Sequence, residues 1–252
     1  MRDYIIDFAV TRGIECMVDK VGNVYLTKGH PKTGEFYPCL CAHMDTVQEL
    51  QTKWIDENQL LAITIEEEKE RHYCYCNDCG LGADDKAGIA ICLSLFESEP
   101  ILKGVFFVQE EAGCYGSENA FLPWFKDVGY IIAYDSPGKD VSWSCGGARL
   151  FDREFYETYL TDLIDKFKIS KFCNHPATDI MHLRRNTCLI CMNMFAGYYK
   201  YHTLAEYCVL EDMDDATSIG AALIARLGYK EYFLPYSDVP NEDDKYFLAL
   251  YG

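Results

Sequence analysis

Acidic and histidine side chains follow several apolar runs of this sequence, at the point where each run ends. His43 and Asp45 come directly after one run, Glu110 and Glu111 follow another, and Asp135 closes a third. Imidazole nitrogens and carboxylate oxygens are ligands that proteins use for divalent metals. Because the carboxyl ends of parallel strands meet at one edge of a sheet, these side chains could converge there. The pattern therefore points to a metal-binding site.

The elements that would position these residues alternate along the chain. Runs rich in β-branched, aromatic or cysteine residues predict strands over residues 36–42, 59–65, 104–108, 130–134 and 187–194. Amphipathic segments predict helices over about residues 3–11, 85–96, 152–167 and 212–227, the last capped by Gly228. This alternation predicts an α/β fold of three layers, with a mostly parallel or mixed central sheet flanked by helices. No repeat or linker divides the chain, so residues 1–252 are expected to form a single domain.

The charge of the chain argues against nucleic acid and membranes as partners, and its cysteine content indicates the compartment. The chain carries 23 Lys and Arg against 40 Asp and Glu, a net charge of −17, which would repel nucleic acid and anionic membranes. The charged N-terminus does not fit a signal segment, and no apolar stretch reaches transmembrane length. The 13 cysteines are odd in number and scattered, which favours free thiols in a reducing, cytoplasmic setting.

One group of cysteines could supply a structural zinc site of its own. Cys74, Cys76 and Cys79 are closely spaced, with His72 nearby. The alternation of Tyr and Cys at residues 73–76 fits a strand followed by a turn better than a zinc site, because no second ligand pair follows. We therefore expect reduced thiols there.

The order and wording of five segments resemble a known family. The segments are residues 42–47 (AHMDTV), 80–88 (GLGADDKAG), 110–113 (EEAG) followed by Gly116 and Ser117, 134–138 (YDSPG), and 201–203 (YHT) with Glu206. Together they resemble the co-catalytic zinc exopeptidases, which include peptidase T, the carboxypeptidase G type and related aminopeptidases and deacylases. The sequences of these motifs are most similar to those of peptidase T, and the Thr178–Asp179 pair also resembles a pair in peptidase T. The resemblance runs from about residue 36 to residue 228.

The resemblance implies a pair of divalent metal ions, zinc in the first instance, with cobalt or manganese as alternatives. His43, Asp84 and Asp135 would hold one ion. Asp84, Glu111 and His202 would hold the other, so that Asp84 would bridge the pair. Two divalent ions about 3.5–4 Å apart can activate a water molecule and polarise the carbonyl group of an amide.

The resemblance also implies roles for residues beside the ligands. Glu110 would act as the general base that takes a proton from water and returns it to the leaving amine. Asp45 would accept a hydrogen bond from the second ring nitrogen of His43, since both side chains point the same way along a strand. The peptide bond between Asp84 and Asp85 is expected to be cis.

The implied activity is hydrolysis of amide bonds in short peptides, in the first instance by an aminopeptidase. An N-acyl amino acid deacylase or a carboxypeptidase on the same site, or a non-catalytic metal-binding protein of this fold, are the alternatives. A carboxypeptidase should need a cation such as Arg184 or Arg185 in its pocket, and His175 lies in the same part of the sequence.

One feature departs from the family pattern. Only 44 positions separate Asp135 from Asp179, which leaves no room for the lid and dimerisation domain that peptidase T carries there. A bare catalytic domain is expected, and the sequence requires no oligomer.

Overall fold

The structure is a computed structural model, and two sheets dominate it. It describes residues 1–47, 63–77, 79–169, 171–237 and 239–251. The strands are β1 (Glu15–Val18), β2 (Val24–Lys28), β3 (Tyr37–His43), β4 (Ile63–Glu68), β5 (Arg71–Cys76), β6 (Leu102–Phe107), β7 (Val128–Ser136), β8 (Asp140–Cys145), β9 (Ala148–Arg149), β10 (Lys171–His175), β11 (Cys191–Phe195), β12 (Tyr198–Tyr199) and β13 (Tyr207–Val209).

Helices connect and cover these strands. They are α1 (Arg2–Thr11), α2 (Ala83–Ser98), α3 (Tyr115–Glu118), α4 (Arg153–Phe155), α5 (Thr161–Lys166), α6 (Asp179–Thr187), α7 (Leu210–Leu227) and α8 (Glu242–Tyr251). A 3₁₀ turn covers Leu122–Phe125, and a π-helical turn at Tyr156–Leu160 joins α4 to α5. Among the described residues, no helix combines the length and apolar character that crossing a bilayer would require.

The main sheet is mixed, with parallel strands at its centre. Across the described residues its strands follow the order β1, β2, β6, β3, β7, β11, β8, β10, and β9 pairs with β8. Strands β6, β3, β7 and β11 run parallel to one another, whereas β1 and β2 are antiparallel additions at one edge. Every residue of these four central strands is buried, as expected for strands covered on both faces. Helices flank the sheet, which gives the predicted three-layer α/β fold.

A second, smaller sheet forms beside the first in the order β12, β13, β5, β4. Strands β12 and β13 flank the loop of residues 200–206, which contains His202. Strand β5 packs against α7, so this small sheet is attached to the helical layer of the main fold.

The segment between Asp135 and Asp179 extends the main sheet. Strands β8 and β10 pair in parallel with each other, and β8 also pairs with β11. The described part of this segment thus belongs to the layered fold itself.

Most predicted elements are confirmed, and one strand was placed wrongly. The predicted helices correspond to α1, α2, the continuous run from α4 to α5, and α7, which Gly228 ends. The strand expected over residues 187–194 begins only at Cys191, because α6 continues to Thr187 and Cys188 adopts a left-handed conformation that ends the helix. Of the strand expected over residues 59–65, residues 59–62 lie outside the described residues, and β4 begins at Ile63.

A glycine in α2 permits the close approach of this helix to the central sheet. A Cβ atom at Gly88 would overlap both Asp85 Oδ1 and the carbonyl oxygen of Tyr134 in β7. The absence of a side chain at this position therefore lets α2 lie directly on β7.

We expect Gly88→Ala to lower the free energy of unfolding by about 1–3 kcal/mol, because the added methyl group must displace backbone as well as a side chain. For a chain of this size, each 1 kcal/mol corresponds to roughly 2–4 °C in the melting temperature. Thermal denaturation followed by circular dichroism measures the difference. Ser94→Ala, on the exposed face of the same helix, is the matched control and should melt close to the wild type. Equal melting of both variants and the wild type would contradict the packing argument.

Candidate metal centre and active site

The ends of three parallel strands bring predicted site residues to one edge of the main sheet. His43 is the last residue of β3, and Asp135 lies near the end of the neighbouring strand β7. Glu110 and Glu111 follow β6, on the other side of β3. The sheet topology thus produces the convergence that the sequence predicted.

Asp84 lies at the centre of the resulting cluster. Its Oδ1 atom is 3.0 Å from Nε2 of His43, and its Oδ2 atom is 3.2 Å from Nε2 of His202. Nε2 of His202 is also 3.0 Å from Oε1 of Glu111, and Nε2 of His43 is 3.8 Å from Oδ1 of Asp135. The five residues therefore form two groups, each with one imidazole and one further carboxylate, that share the carboxylate of Asp84.

Asp45 connects His43 to the acidic pair. Its Oδ1 atom lies 3.5 Å from Nδ1 of His43, a contact between charges that is longer than an ordinary hydrogen bond. The same carboxylate accepts hydrogen bonds from the backbone N–H groups of Glu110 at 3.0 Å and Glu111 at 3.1 Å. Asp45 therefore lies beside the ring, where Nδ1 of His43 has no hydrogen-bond partner among the described residues, and the same carboxylate fixes the loop that carries both glutamates, which the sequence did not reveal.

Glu206 holds the backbone at the start of α2. Its buried carboxylate accepts hydrogen bonds from the N–H groups of Gly82 and Asp84, in the turn where the helix begins. The peptide bond between Asp84 and Asp85 is cis, as the resemblance implied. Asp85 is fully buried and accepts hydrogen bonds from the N–H groups of His43 and Gly88, so both of its oxygens serve the backbone.

A β-bulge isolates Asp135 from the strand ladder, and a side chain replaces the missing partner. The register between β7 and β11 pairs Met194 with Tyr134 and Phe195 with Ser136, so Asp135 has no opposite residue. Oδ1 of Asn193 accepts from the N–H of Asp135 at 3.1 Å, and Nδ2 of Asn193 donates to its carbonyl at 3.0 Å.

The sequence did not single out Asn193 or Tyr198, the two residues that form hydrogen bonds with Asp135. Tyr198 donates its hydroxyl proton to Oδ1 of Asp135 at 3.2 Å, and Asn193 is fully buried. A polar Asn inside the apolar run of residues 188–196 was a signal for a buried hydrogen-bonding role. Nothing in the sequence distinguishes Tyr198 from the tyrosine beside it.

Burial and mutual repulsion dominate the electrostatics of the cluster. Burial raises the pKa of Glu111, and the carboxylate of Asp84 raises it further, to about 7. Burial also raises the pKa values of Glu110 and, more strongly, Asp135. For His43, burial lowers the pKa, but the contacts with Asp45 and Asp84 outweigh burial and raise it well above its usual value. The cluster thus favours the binding of positive charge.

A further buried carboxylate lies next to the cluster. Asp179 is 3% exposed, and burial together with the charge of Glu110 raises its pKa to about 8. The sequence singled out the Thr178–Asp179 pair only by resemblance, and the structure places Thr178 in the lining of the cavity described next.

The cluster opens into a cavity of about 290 Å³. One wall is acidic and contains Asp84, Glu110, Glu111, Asp135 and His202. The rest of the lining includes His175, Pro176, Ala177, Met181, His182 and Tyr201. Among the described residues that line this cavity, none is Lys or Arg.

The two arginines considered as ligands for a substrate carboxylate lie elsewhere. Arg184 is buried and donates to the carbonyl of Arg149 at 3.0 Å. Arg185 donates to the hydroxyl of Tyr236 and the carbonyl of Gly146, both at 3.1 Å. Neither side chain lines the cavity, whereas His175 does.

The cysteine group does not converge on one point. The predicted strand forms as β5, but Cys76 and Cys79 are joined in a disulfide, so the expectation of reduced thiols was wrong for this pair. Their Cα atoms are 5.4 Å apart, which brings both thiols within reach. His72 instead pairs with Oε1 of Glu211 at 2.7 Å.

Comparison with solved structures identifies the fold. The chain is similar to aminopeptidase PepT from Bacillus cereus, with a TM-score of 0.64, 15% identity, and coverage of 88% of this chain and 91% of that one. It is similar to a tripeptidase from Staphylococcus aureus, with a TM-score of 0.67, 13% identity, and coverage of 89% and 91%. It is also similar to the TET1 peptidase of Pyrococcus horikoshii, with a TM-score of 0.62, 15% identity, and coverage of 88% and 92%.

The chain therefore has the fold of the co-catalytic zinc exopeptidases, the group that its motifs resemble. The likeness to aminopeptidase PepT agrees with the resemblance of those motifs to peptidase T. No family model matches the sequence, and no curated protein does. Identities of this size establish a shared fold, so the activity must be argued from the site.

We expect Asn193→Ala to lower the free energy of unfolding by about 2 kcal/mol or more, because it leaves the buried N–H and C=O of Asp135 without partners. Chemical denaturation measures the loss. Asn119→Ala is the matched control: Asn119 is exposed and donates only to the carbonyl of Tyr115. This control should stay within about 0.5 kcal/mol of the wild type. If both asparagine variants had the same stability, the side chain of Asn193 would not replace a strand partner.

Proposed function

We propose that this chain is a metallopeptidase that hydrolyses short peptides with two divalent metal ions, most closely as an aminopeptidase. The observation that carries the proposal is the position of Asp84, whose two carboxylate oxygens face two different imidazoles at 3.0 and 3.2 Å. A carboxylate between two histidine and carboxylate groups is suited to bridge two cations.

The donor set fits such ions. Ligand atoms of Asp84, Glu111 and His202 lie within 4.8 Å of one another, which is close enough to share one ion. His43 and Asp135 would complete the second set with Asp84. Asp85 also lies near His43 and Asp135, but its oxygens accept backbone N–H groups, so Asp84 is the better ligand.

The mixture of imidazole and carboxylate ligands suits zinc, with cobalt or manganese as alternatives. When bound, the two ions would act as Lewis acids toward a peptide carbonyl and lower the pKa of water. Burying several carboxylates together is costly unless positive charge offsets it, and the described lining of the cavity supplies no Lys or Arg.

We assign the role of general base to Glu110. It lines the cavity beside Glu111, and its backbone is held by Asp45. The thiol of Cys114 donates to Oε1 of Glu110 at 3.5 Å, which orients the carboxylate. Burial raises its pKa, which makes the carboxylate a stronger base toward the proton of a water molecule. Glu110 would take a proton from water and deliver it to the leaving amine.

The charge of the cavity favours the amino end of a peptide. The acidic wall can bind a free α-amino group, whereas the described lining offers no guanidinium or ammonium group for a terminal carboxylate. The volume of about 290 Å³ suits a small part of a short peptide. Aminopeptidase action is therefore preferred over carboxypeptidase action, and a deacylase is left as an outcome to be tested.

The remaining proposals concern the whole chain. We propose that residues 1–252 act as one catalytic domain, because the described part of the segment between Asp135 and Asp179 belongs to the main sheet. The residues assigned to the site come together within one chain, so the proposed mechanism requires no second copy, whereas the TET1 peptidase can assemble into a large octahedral shell. A cytoplasmic setting is supported by 11 cysteines that are free.

We expect Glu110→Gln to reduce kcat by about 10²-fold or more, because a glutamine cannot accept the proton of the attacking water. The same variant should bind two zinc ions per chain, as the wild type does, in elemental analysis after zinc loading and desalting. Asp84→Asn, by contrast, should lower the zinc content, since it weakens the ligand shared by both sites.

Glu154→Gln is the matched control, because Glu154 is exposed on α4, and it should keep wild-type turnover. Near wild-type activity of Glu110→Gln would overturn the assigned role. A wild-type chain that binds no zinc, cobalt or manganese and hydrolyses no peptide would instead favour a non-catalytic protein of this fold.

We expect tripeptides with a free amino terminus to be hydrolysed at least 10-fold faster, in kcat/KM, than the same peptides after N-acetylation. Acetylation removes the positive charge, and charge-assisted hydrogen bonds of about 1.5–3 kcal/mol correspond to roughly 10-fold or more. Release of amino acids measured by chromatography gives both values. Equal rates would eliminate an aminopeptidase, and selective release of acetate from N-acetyl amino acids would identify a deacylase.

A further inference from the structure

Two free cysteines face each other across neighbouring strands of the small sheet. Strands β5 and β13 are antiparallel, and their register places Cys208 directly opposite Cys74. The flanking pairs, Tyr207 with Tyr75 and Val209 with Tyr73, keep the same register. Both thiols are free in the structure.

The distance between opposed strand residues is close to the distance that a disulfide needs. Directly opposite residues of an antiparallel pair have Cβ atoms about 4.5–5.5 Å apart. A disulfide joins Cβ atoms about 3.5–4.5 Å apart. A movement of about 1 Å therefore closes the bond between Cys74 and Cys208 without rearranging the strands.

The two thiols differ in access and reactivity. Cys74 is half-buried, whereas Cys208 is 6% exposed. A hydrogen-bonding contact with the Cys208 thiol lowers the pKa of Cys74 to about 7, and the same contact raises the pKa of Cys208. By contrast, burial raises the pKa of the half-buried Cys16 in β1. Because the thiolate is the nucleophile, Cys74 is suited to react first.

We infer that Cys74 and Cys208 are a reversible redox site that forms a disulfide when the protein meets a peroxide. The Cys74 thiolate would attack one peroxide oxygen and become a sulfenic acid, and the hydroxide displaced from the peroxide would take a proton from solvent to give the first water. The Cys208 sulfur would then attack the sulfur of Cys74, and the departing hydroxide would take the Cys208 proton as a second water. The two thiols lose two electrons and two protons, and hydrogen peroxide is reduced to two waters.

A disulfide between Cys74 and Cys208 would stabilise the folded chain and restrain strand β13. The disulfide would close a loop between residues 74 and 208, which restricts the unfolded chain strongly. Strand β13 also begins one residue after Glu206, whose carboxylate holds the backbone of Gly82 and Asp84. The bond would thus fasten the strand that leads away from the candidate site. This inference does not rest on the proposed peptidase activity.

Mass spectrometry of the full chain tests the inference. The protein is treated with a small excess of hydrogen peroxide, its remaining thiols are alkylated, and it is digested without reduction. We expect a linked peptide pair that contains Cys74 and Cys208, lighter by two hydrogens and separated by dithiothreitol. The oxidised chain should also melt about 5–10 °C higher than the chain not treated with peroxide, because a long loop is closed.

Matched variants distinguish the disulfide between Cys74 and Cys208 from oxidation of other cysteines. Cys74→Ser and Cys208→Ser should each lose both the linked peptide and the peroxide-dependent shift in melting, while Cys16→Ser should keep both. The existing disulfide between Cys76 and Cys79 is common to all variants. Circular dichroism before oxidation shows that each variant is folded. Alkylation of Cys74 and Cys208 while other thiols oxidise would overturn the inference, as would a bond from Cys74 to Cys76 or Cys79.

Discussion

Repulsion among closely spaced carboxylates is the constraint around which this molecule is arranged. Asp84, Glu110, Glu111 and Asp135 share one cavity, and like charges at short range in a medium of low dielectric constant destabilise one another. The described lining of the cavity offers imidazoles but no lysine or arginine to offset them. Such a cluster is stable in a folded protein when cations bind it, and under the proposed function Asp84 would be shared by two of them.

Much of the surrounding structure holds these carboxylates in place. Glu206 binds the backbone of Asp84, Asn193 binds the backbone of Asp135, and Asp45 binds the backbone of Glu110. In each case a polar side chain satisfies an N–H group that no strand or helix partner accepts. These contacts leave the carboxylates of the cluster free to face the cavity, because the supporting side chains bind the backbone.

The sequence predicted the layered fold and the convergence of the site because both depend on local signals. Apolar runs mark the central strands, and His43 and Asp135 could be predicted as site residues because they lie where those runs end. The disulfide of Cys76 and Cys79 was not predicted, since pairing depends on the geometry of the turn. The role of Asn193 was missed for a related reason: the bulge that leaves Asp135 without a strand partner is a property of register between β7 and β11, which no single segment encodes. The short strands β1, β2, β8 and β10 were also missed, because each has six residues or fewer and so short a run carries a weak apolar pattern.

The arrangement around Asp45 has a consequence for which ions the chain could select. The carboxylate of Asp45 lies beside the ring of His43 and accepts hydrogen bonds from the loop that carries Glu110 and Glu111. Under the proposed function these two segments would supply ligands to different halves of the cluster, and the contacts of Asp45 limit how far apart the segments can move. A fixed distance between the two segments disfavours a large cation such as calcium, which needs six to eight ligands at longer distances. It suits smaller ions with fewer ligands.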